Sequence, residues 1–259
     1  MPFIEVRGGR LEYRWAGPEP GRAPTIVFLH EGLGCTGTWR DFPDRVARET
    51  GCGALVYSRP GYGASDEVEG PRPVRFMHDE AIEVLPAVLR HFEVQDPILF
   101  GHSDGASIAL VYAGAGLGSV RALVLEAPHV FVEDVCLESI ARIATAYEST
   151  DLEERLAEHH GRNTESMFRS WVDVWLRPEF RRWSIREFLP RIQAPVLVVQ
   201  CEDDAYGTLD QLAAVTTGVG GPAESLILTG CGHAPHRDRP DVVLDGAARF
   251  IRDVLEARG

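Results

Sequence analysis

Lysine is absent from this chain of 259 residues, so its 26 basic side chains are all arginines, and 39 acidic side chains outnumber them. The resulting net charge of −13 disfavours nucleic acid and anionic membrane surfaces as partners, because both are themselves negatively charged. No apolar run approaches the roughly 20 residues that a membrane-spanning helix needs. The opening stretch MPFIEVRGGRLEYRW lacks the apolar segment of a signal peptide. We therefore expect a mature protein of the cytoplasm with neither nucleic acid nor membrane as a partner.

Cysteine is scarce and odd in number. The five cysteines include no pair at CxxC spacing and no metal-ligand pattern, which argues against a disulfide framework or a zinc site. The phosphate-binding pattern GxxxxGK[ST] is excluded because it requires a lysine. We accordingly expect no metal and no organic cofactor, and the cysteine usage fits a reducing compartment.

Apolar residues make up 44% of the chain, enough for a full core, and they recur as short continuous runs bounded by turn residues. Continuous rather than alternating hydrophobicity is typical of parallel strands that helices cover on both faces. Strands of this kind are predicted at 25–30, 53–58, 97–101, 121–127, 195–200 and 225–229. The front segments FIEV and RLEYRW alternate and are separated by Gly8 and Gly9, which predicts an antiparallel hairpin at the sheet edge.

Helix-forming stretches lie between these strands. We predict helices at 39–49, 76–92, 103–113, 209–216 and 241–257. Alternation of strands and helices indicates an α/β protein with a doubly wound, mostly parallel sheet and right-handed crossovers. The alternation breaks between 132 and 189, where helix-forming stretches follow one another without a convincing strand. We interpret this segment as a helical insertion between two strands of the same sheet.

The strand PILFG leads directly into GHSDG, which places Ser103 between Gly101 and Gly105. A nucleophile for acyl transfer stands on a sharp strand-to-helix turn, where only small side chains fit two positions before and after it. Ala106 and Ser107 let the following helix pack closely against the strand. A merely flexible turn also uses glycines, but the position of this motif between a strand and a helix favours Ser103 as a nucleophile.

A serine hydroxyl needs a base, and the base needs a third group that orients it. In the chain order serine, acid, histidine, the base follows the last strand. There LTGCGHAPHRDRPD offers His233, with His236 as the fallback. The acid is expected just past the preceding strand, where VLVVQCEDDAYG offers Asp204, with Asp203 as a turn residue. Glu126, at the end of the sixth strand, is an alternative acid.

These motifs resemble the α/β-hydrolase superfamily over essentially the whole chain. GHSDG resembles its nucleophile elbow, CEDDAYG its acid loop and GCGHAPH its histidine loop. FLHEGLGCTGTWRDF (28–42) resembles the loop that supplies half of the oxyanion hole, and YSRPGYGASD (57–66) the turn after the fourth strand in members with short helical caps. The resemblance implies an eight-stranded sheet with a helical cap inserted after the sixth strand. The core would comprise 1–131 and 190–259, and the cap 132–189.

Two positions depart from the usual family pattern. Most relatives have glycine directly after the histidine of the oxyanion loop, whereas here Glu31 stands between His30 and Gly32. The acid loop has Cys201 where many relatives have glycine. The resemblance implies that the backbone N–H groups of Gly32 and Asp104 form the oxyanion hole.

Four residues are candidates for the substrate pocket, and each also has a simple structural explanation. Glu31 could bind a hydroxyl or cationic group of the substrate, or its carboxylate could turn toward local backbone. His129 follows the sixth strand and is expected to border the pocket rather than ionise in the mechanism. Trp171 and Trp175 lie four residues apart on one helix face, so they could line an acyl pocket or only pack.

Serine at position 103 also restricts the chemistry, because members of the resembling superfamily that open epoxides or displace halide use aspartate there. We expect a hydrolase of a small acyl substrate, most simply a carboxylic ester, that acts through an acyl-enzyme as a monomer or homodimer. A carbon–carbon bond hydrolase of ring-cleavage ketones and a lactone or thioester hydrolase remain alternatives. A non-catalytic ligand-binding protein of the same fold is a further alternative.

Overall fold

The computed structural model describes residues 1–68 and 70–257. Eight strands form one sheet in the order β1-β2-β4-β3-β5-β6-β7-β8, in which β1–β2 and β2–β4 pair antiparallel and the other neighbours pair parallel. The strands are β1 (Phe3–Val6), β2 (Gly9–Ala16), β3 (Thr25–Leu29), β4 (Gly53–Tyr57), β5 (Ile98–His102), β6 (Ala122–Glu126), β7 (Val196–Cys201) and β8 (Ala223–Leu228). This confirms the predicted doubly wound, mostly parallel sheet with its antiparallel hairpin at one edge.

The helices lie close to the predicted positions, with differences that have local causes. They are α1 (Phe42–Thr50), α2 (Phe76–Asp79), α3 (Leu85–His91), α4 (Asp104–Ala115), α5 (Asp134–Ser149), α6 (Leu152–His160), α7 (Thr164–Leu176), α8 (Leu209–Gly218), α9 (Pro235–Asp238) and α10 (Pro240–Glu256). A π-helical stretch, Glu80–Val84, joins α2 to α3 where one long helix is predicted. The first helix begins at Phe42, just before Pro43, because proline is accommodated in the first turn of a helix.

The strands are apolar along their whole length because helices cover both faces of the sheet. Val27 and Leu99 point to one face, where α2, α3 and α4 pack. Phe28 and Phe100 point to the other face, where α1 and α10 pack, and their ring centroids lie 4.9 Å apart. Alternation of side chains along a strand turns one continuous apolar run into two separate cores.

Helices α5, α6 and α7 lie in the segment between β6 and β7, which contains no strand of the sheet. Its two ends meet, since the N–H of Ile185 donates to the carbonyl oxygen of Val130 at 2.9 Å. Its middle is attached to the loop after β4. The N–H of Gly63 donates to His160 Nδ1 at 2.9 Å, and Asn163 Nδ2 donates to the Gly63 carbonyl oxygen at 3.0 Å. The insertion is therefore held at both its base and its middle.

The cysteines differ from the expectation of no disulfide. Cys201 and Cys231 form one, with their Cα atoms 5.8 Å apart. The pairing of β7 with β8 places Cys201 opposite Leu228, so a loop of a few residues returns Cys231 to it. The number and spacing of cysteines in the sequence cannot predict this disulfide, because the register between β7 and β8 brings the two residues together. Within the described part of the chain, no helix is long and apolar enough to cross a membrane.

Candidate active site

Ser103 occupies the turn between β5 and α4 with φ 53° and ψ −118°, a conformation that non-glycine residues rarely adopt. The neighbouring glycines are required by close packing. A Cβ on Gly101 would overlap the backbone of Gly105 and Ala106, and a Cβ on Gly105 would overlap the carbonyl oxygen of Leu29. The strand and helix therefore approach so closely that the serine is forced outward, as the motif predicts.

Ser103, His233 and Asp204 form a continuous hydrogen-bonded chain. His233 Nε2 lies 2.9 Å from Ser103 Oγ, and His233 Nδ1 lies 2.9 Å from each carboxylate oxygen of Asp204. Asp204 is held in turn by Gln200 Nε2 and by the N–H of Tyr206, each at 2.8 Å. Burial alone raises the pKa of the Asp204 carboxyl, but the charge of His233 and the hydrogen bonds from His233 and Tyr206 lower it below its ordinary value. Asp204 is therefore ionised beside the imidazole.

The fallback residues lie elsewhere. His236 Nδ1 and Glu126 Oε2 are 2.6 Å apart and form a buried pair of their own. Asp203 accepts a long hydrogen bond, 3.4 Å, from the N–H of Gly230 at the surface. Within residues 1–68 and 70–257, the side chains of His236, Glu126 and Asp203 form no hydrogen bond with Ser103 Oγ. Glu126 touches the serine only through the backbone, where its carbonyl oxygen accepts from the N–H of Ser103 at 2.9 Å.

The loop after β3 is folded around two side chains. A Cβ on Gly32 would overlap the indole of Trp171, and a Cβ on Gly34 would overlap the carboxylate of Glu31. The glycines at 32, 34 and 37 also have the spacing GxGxxG of dinucleotide-binding loops. Here the space beside two of these glycines is filled by side chains of the protein rather than left open to a phosphate.

Gly32 and Asp104 both line the cavity beside Ser103. Asp104 is the first residue of α4, so its N–H belongs to the helix N-terminus, where backbone N–H groups lack intrahelical partners. The positive end of the helix dipole adds to the attraction of this position for negative charge. Both residues of the predicted oxyanion pair therefore line the cavity beside Ser103, and their role as donors stays a prediction.

Glu31 and Asp104 direct their carboxylates toward other charged residues. Asp104 is buried, and its Oδ2 lies 3.8 Å from Nη2 of the fully buried Arg59. Arg59 Nη2 also donates to the Glu31 carbonyl oxygen at 2.9 Å, which fixes the loop after β3. Arg59 therefore faces the carboxylate of Asp104, whereas it holds the backbone of Glu31 rather than its carboxylate.

His102 is a residue that the sequence analysis did not identify. Its Nε2 lies 2.6 Å from the carbonyl oxygen of His233, and its Nδ1 lies 3.7 Å from Glu31 Oε2. Burial lowers the pKa of the His102 imidazole, but the nearby carboxylate of Glu31 raises it above its ordinary value. The pKa of Glu31 is held far below its usual range, because His102 outweighs the opposing effect of burial. The signal available in the sequence is the histidine directly before Ser103 in GHSDG.

The hydrogen-bonded chain faces a cavity of about 520 Å³. Aromatic rings form its inner wall: Tyr206 lies 4.6 Å from the His233 ring, and His129 lies 5.2 Å from Trp175 between ring centroids. Trp171 lines the same cavity. Burial, followed by the charge of His233, lowers the pKa of His129 to about 3, so this imidazole is neutral at physiological pH. Glu31, His129, Trp171 and Trp175 all line the cavity.

The eight-stranded sheet and the serine on its sharp turn define the class of this protein. The chain belongs to the α/β hydrolase family, described as "Alpha/beta hydrolase family", whose sequence model matches residues 26–245. It is similar to the 2-succinyl-6-hydroxy-2,4-cyclohexadiene-1-carboxylate synthase of Salmonella heidelberg (strain SL476). The two are 24% identical over 264 aligned positions, covering 90% of this chain and 96% of that protein.

Solved structures share the fold. The enol-lactonase from Burkholderia xenovorans LB400 superposes with a TM-score of 0.76 at 17% identity, covering 96% of this chain and 99% of that one. A thermophilic esterase from Thermogutta terrifontis superposes with a TM-score of 0.69 at 16% identity, covering 98% and 99%. The family match thus confirms the expected α/β-hydrolase membership, and these structures show that the fold is shared.

Proposed function

We propose that this protein is a serine hydrolase of a small acyl substrate, most simply a carboxylic ester, acting as a monomer or homodimer. The observation that carries the proposal is the hydrogen-bonded chain from Ser103 Oγ through His233 to Asp204, with each contact at 2.9 Å. His233 takes the proton from Ser103 as the hydroxyl attacks a carbonyl carbon. Asp204 orients the imidazole and stabilises its charged form.

The oxyanion that forms in this attack is stabilised by the N–H groups of Gly32 and Asp104. Loss of one such donor typically costs roughly 10²–10³ in rate, or about 3–4 kcal/mol. His233 then gives its proton to the leaving group, and an acyl group remains on Ser103. Water, activated by His233, hydrolyses this acyl-enzyme and regenerates the serine.

We also propose that 132–189 acts as a cap over a core made of 1–131 and 190–259. The cavity beside Ser103 is lined by Ile140 from α5, Leu156 from α6 and Trp171 from α7, together with core residues such as His233. Because both parts of the chain build one cavity, cap side chains select the acyl group and core side chains perform the reaction.

The test is hydrolysis of a series of p-nitrophenyl esters from acetate to decanoate by the native protein and by Ser103→Ala. Turnover that disappears in the variant supports the proposal, and the chain-length optimum measures the depth of the cavity. Turnover that persists in Ser103→Ala contradicts a serine mechanism. Labelling with a fluorophosphonate probe provides a second readout, because it reports a reactive serine even when no ester in the series fits.

A second candidate is a reaction that yields a substituted cyclohexadiene carboxylate, while the carbon–carbon bond hydrolysis of ring-cleavage ketones stays an untested alternative. The similarity over 90% of this chain to proteins named 2-succinyl-6-hydroxy-2,4-cyclohexadiene-1-carboxylate synthase favours it. The same serine and histidine can serve either reaction. Fluorophosphonate labelling of Ser103 without hydrolysis of any ester would favour this candidate over the esterase.

A further inference from the structure

Three arginines from separate parts of the chain line the outer part of the cavity. Arg40 follows the turn Gly37–Trp39, Arg155 lies in α6, and Arg237 lies in α9 directly after the histidine loop. We call them the arginine rim. The cavity lining also holds three acidic residues, Glu31, Asp104 and Glu158, so the charge that an incoming substrate meets depends on which of these groups are neutralised by the protein.

The rim arginines are poorly neutralised. Arg40 and Arg237 form no ion pair with any residue in 1–68 or 70–257, whereas many other arginines of the chain do. Arg155 pairs with Asp151 at 3.3 Å, but both side chains are more than 60% exposed, and such pairs contribute little. The guanidinium groups are therefore available to an anion from solution.

The carboxylates of the cavity do not cancel this charge. Glu31 is compensated by His102, and Asp104 by Arg59. Two acidic residues remain beside the three rim arginines: Glu158, in α6, and Asp151, which pairs with Arg155. The outer part of the cavity thus holds more positive than negative charge, while its inner wall is aromatic.

The rim is fixed relative to the reacting groups. The carbonyl oxygen of Arg40 accepts from Arg14 Nη2 at 2.6 Å, and Arg40 has φ 51°. The short helix of Arg237 is joined to the histidine loop, because Asp238 Oδ2 accepts from the N–H of Gly232 at 2.8 Å. These contacts fix the backbone at Arg40 and Arg237, from which both side chains reach the lining of the cavity beside Ser103.

We propose that the substrate is an anionic ester, whose carboxylate binds the arginine rim and whose apolar part lies against the aromatic wall. Guanidinium groups suit this role because their planar donors match carboxylate oxygens in pairs. This inference rests on the proposed function in that it assigns a substrate class to the same site.

The experiment compares mono-p-nitrophenyl glutarate with p-nitrophenyl valerate, which has the same chain length and no charge. The readout is the ratio of their kcat/KM values in the native protein and in the double variant Arg40→Gln/Arg237→Gln. We expect the charged ester to be preferred by the native protein and the ratio to fall about tenfold in the variant, as loss of one charge-assisted hydrogen bond predicts. A folding defect lowers both rates together and leaves the ratio unchanged.

The matched control is Arg22→Gln/Arg48→Gln, which changes the net charge equally at exposed positions away from the cavity. Its ratio should equal that of the native protein. Raising the salt concentration from about 0.05 to about 0.5 M should reduce the preference, because screening weakens exposed ion pairs. A native protein that hydrolyses both esters equally well would overturn the anionic substrate class while leaving the hydrolase intact.

If neither ester is hydrolysed, the proposed ester chemistry fails. The arginine rim is then tested as an anion-binding site by measuring ligand binding alone. Trp171 and Trp175 line the cavity, so tryptophan fluorescence reports its occupation. Titration with glutarate should change the fluorescence of the native protein and the control, with weaker binding to Arg40→Gln/Arg237→Gln. Equal binding to all three proteins, or none to any, contradicts the rim as an anion site.

Discussion

His102 Nε2 donates to the carbonyl oxygen of His233 over 2.6 Å, so the residue directly before the proposed nucleophile holds the main chain of the proposed base. A carbonyl oxygen only accepts, which requires the proton to be on Nε2. The other nitrogen, Nδ1, faces Glu31, and this carboxylate favours a second proton. The His102 imidazole therefore lies between the carboxylate of Glu31 and the main chain of His233.

Replacing Glu31 with glutamine should change how stability depends on pH. The folded-state pKa of Glu31 is lowered, so its contribution is present above about pH 4.5 and is lost as pH falls through the folded value. The pKa of His102 is raised, so its contribution is present below about pH 6.5 and is lost as pH rises through the folded value. The difference in unfolding free energy between native protein and Glu31→Gln should therefore be largest between about pH 4.5 and 6.5.

Urea unfolding at a series of pH values measures this difference. Other ionisable groups face His102, namely Glu126, His233 and His236, and all remain in the variant. Glu19→Gln, at an exposed position, is the control for loss of one carboxylate. A difference that stays constant from pH 5 to 9 would show that Glu31 contributes only packing.

Asp204→Asn should reduce kcat by roughly 10⁴, because an amide can hold the histidine in the wrong tautomer and cannot stabilise its charge. Its neighbour provides the control. Asp203→Asn removes a carboxylate one residue away that makes only a long hydrogen bond, 3.4 Å, to Gly230, so it should retain native activity. Glu126→Gln completes the comparison in ester hydrolysis assays. A larger loss in either control variant than in Asp204→Asn would reassign the acid.

The sequence predicts those parts of the site that depend on local pattern and chain order. Continuous apolar runs predict the sheet. The glycines on either side of Ser103, which the close packing of strand and helix requires, predict the position of the nucleophile. His233 and Asp204 are selected because each follows a recognisable strand near the end of the chain. Their geometry agrees with this selection, and their catalytic roles stay predictions for the assays above.

The remaining features depend on contacts between distant segments. Glu31 meets His102 because β3 and β5 are neighbours in the sheet, although they are far apart in the chain. Arg40, Arg155 and Arg237 line one cavity because helix α6 lies against the loop after β3, where Cys35 Sγ is 3.9 Å from the His159 carbonyl oxygen. Neither periodicity nor residue spacing carries such information, since sheet order and helix packing decide it.

Glu80 provides a prediction about stability away from the site. This carboxyl is 7% exposed, and burial raises its pKa to about 7 against the opposing charges of Arg59 and Arg72. The folded protein therefore binds this proton more tightly than the unfolded chain, so stability falls as pH rises from about 4.5 to about 7. Glu80→Gln should remove this loss and be more stable than native protein at pH 8 by about 3 kcal/mol.

Urea unfolding at pH 5 and pH 8 measures the effect, with Glu187→Gln as an exposed control. At pH 5 Glu80 is protonated in the folded protein and resembles glutamine, so Glu80→Gln and native protein should be nearly equal. A variant that is less stable than native protein at both pH values would show that the buried carboxylate is stabilised by its arginines.

The Cys201–Cys231 disulfide connects the two loops that carry the proposed acid and base. Cys201 precedes Asp204 by three residues, and Cys231 precedes His233 by two. Disulfides are uncommon in the cytoplasm, so the pair also bears on the predicted location, which stays a prediction. Alkylation and mass measurement, with and without reductant, report directly whether the pair is oxidised in the purified protein.

Reduction of the disulfide should destabilise the protein and lower its activity. The two cysteines are 30 residues apart, and opening a loop of this length increases the entropy of the unfolded chain, which corresponds to about 3–4 kcal/mol. Cys201→Ser/Cys231→Ser should show the same loss in urea unfolding without any reductant. Adding reductant to this double variant should change neither its stability nor its activity. This comparison separates the effect of reducing the disulfide from any effect of the reductant on the free cysteines Cys35, Cys52 and Cys136. A native protein whose stability and ester hydrolysis are both insensitive to complete reduction would show that the two loops hold their positions without the covalent link.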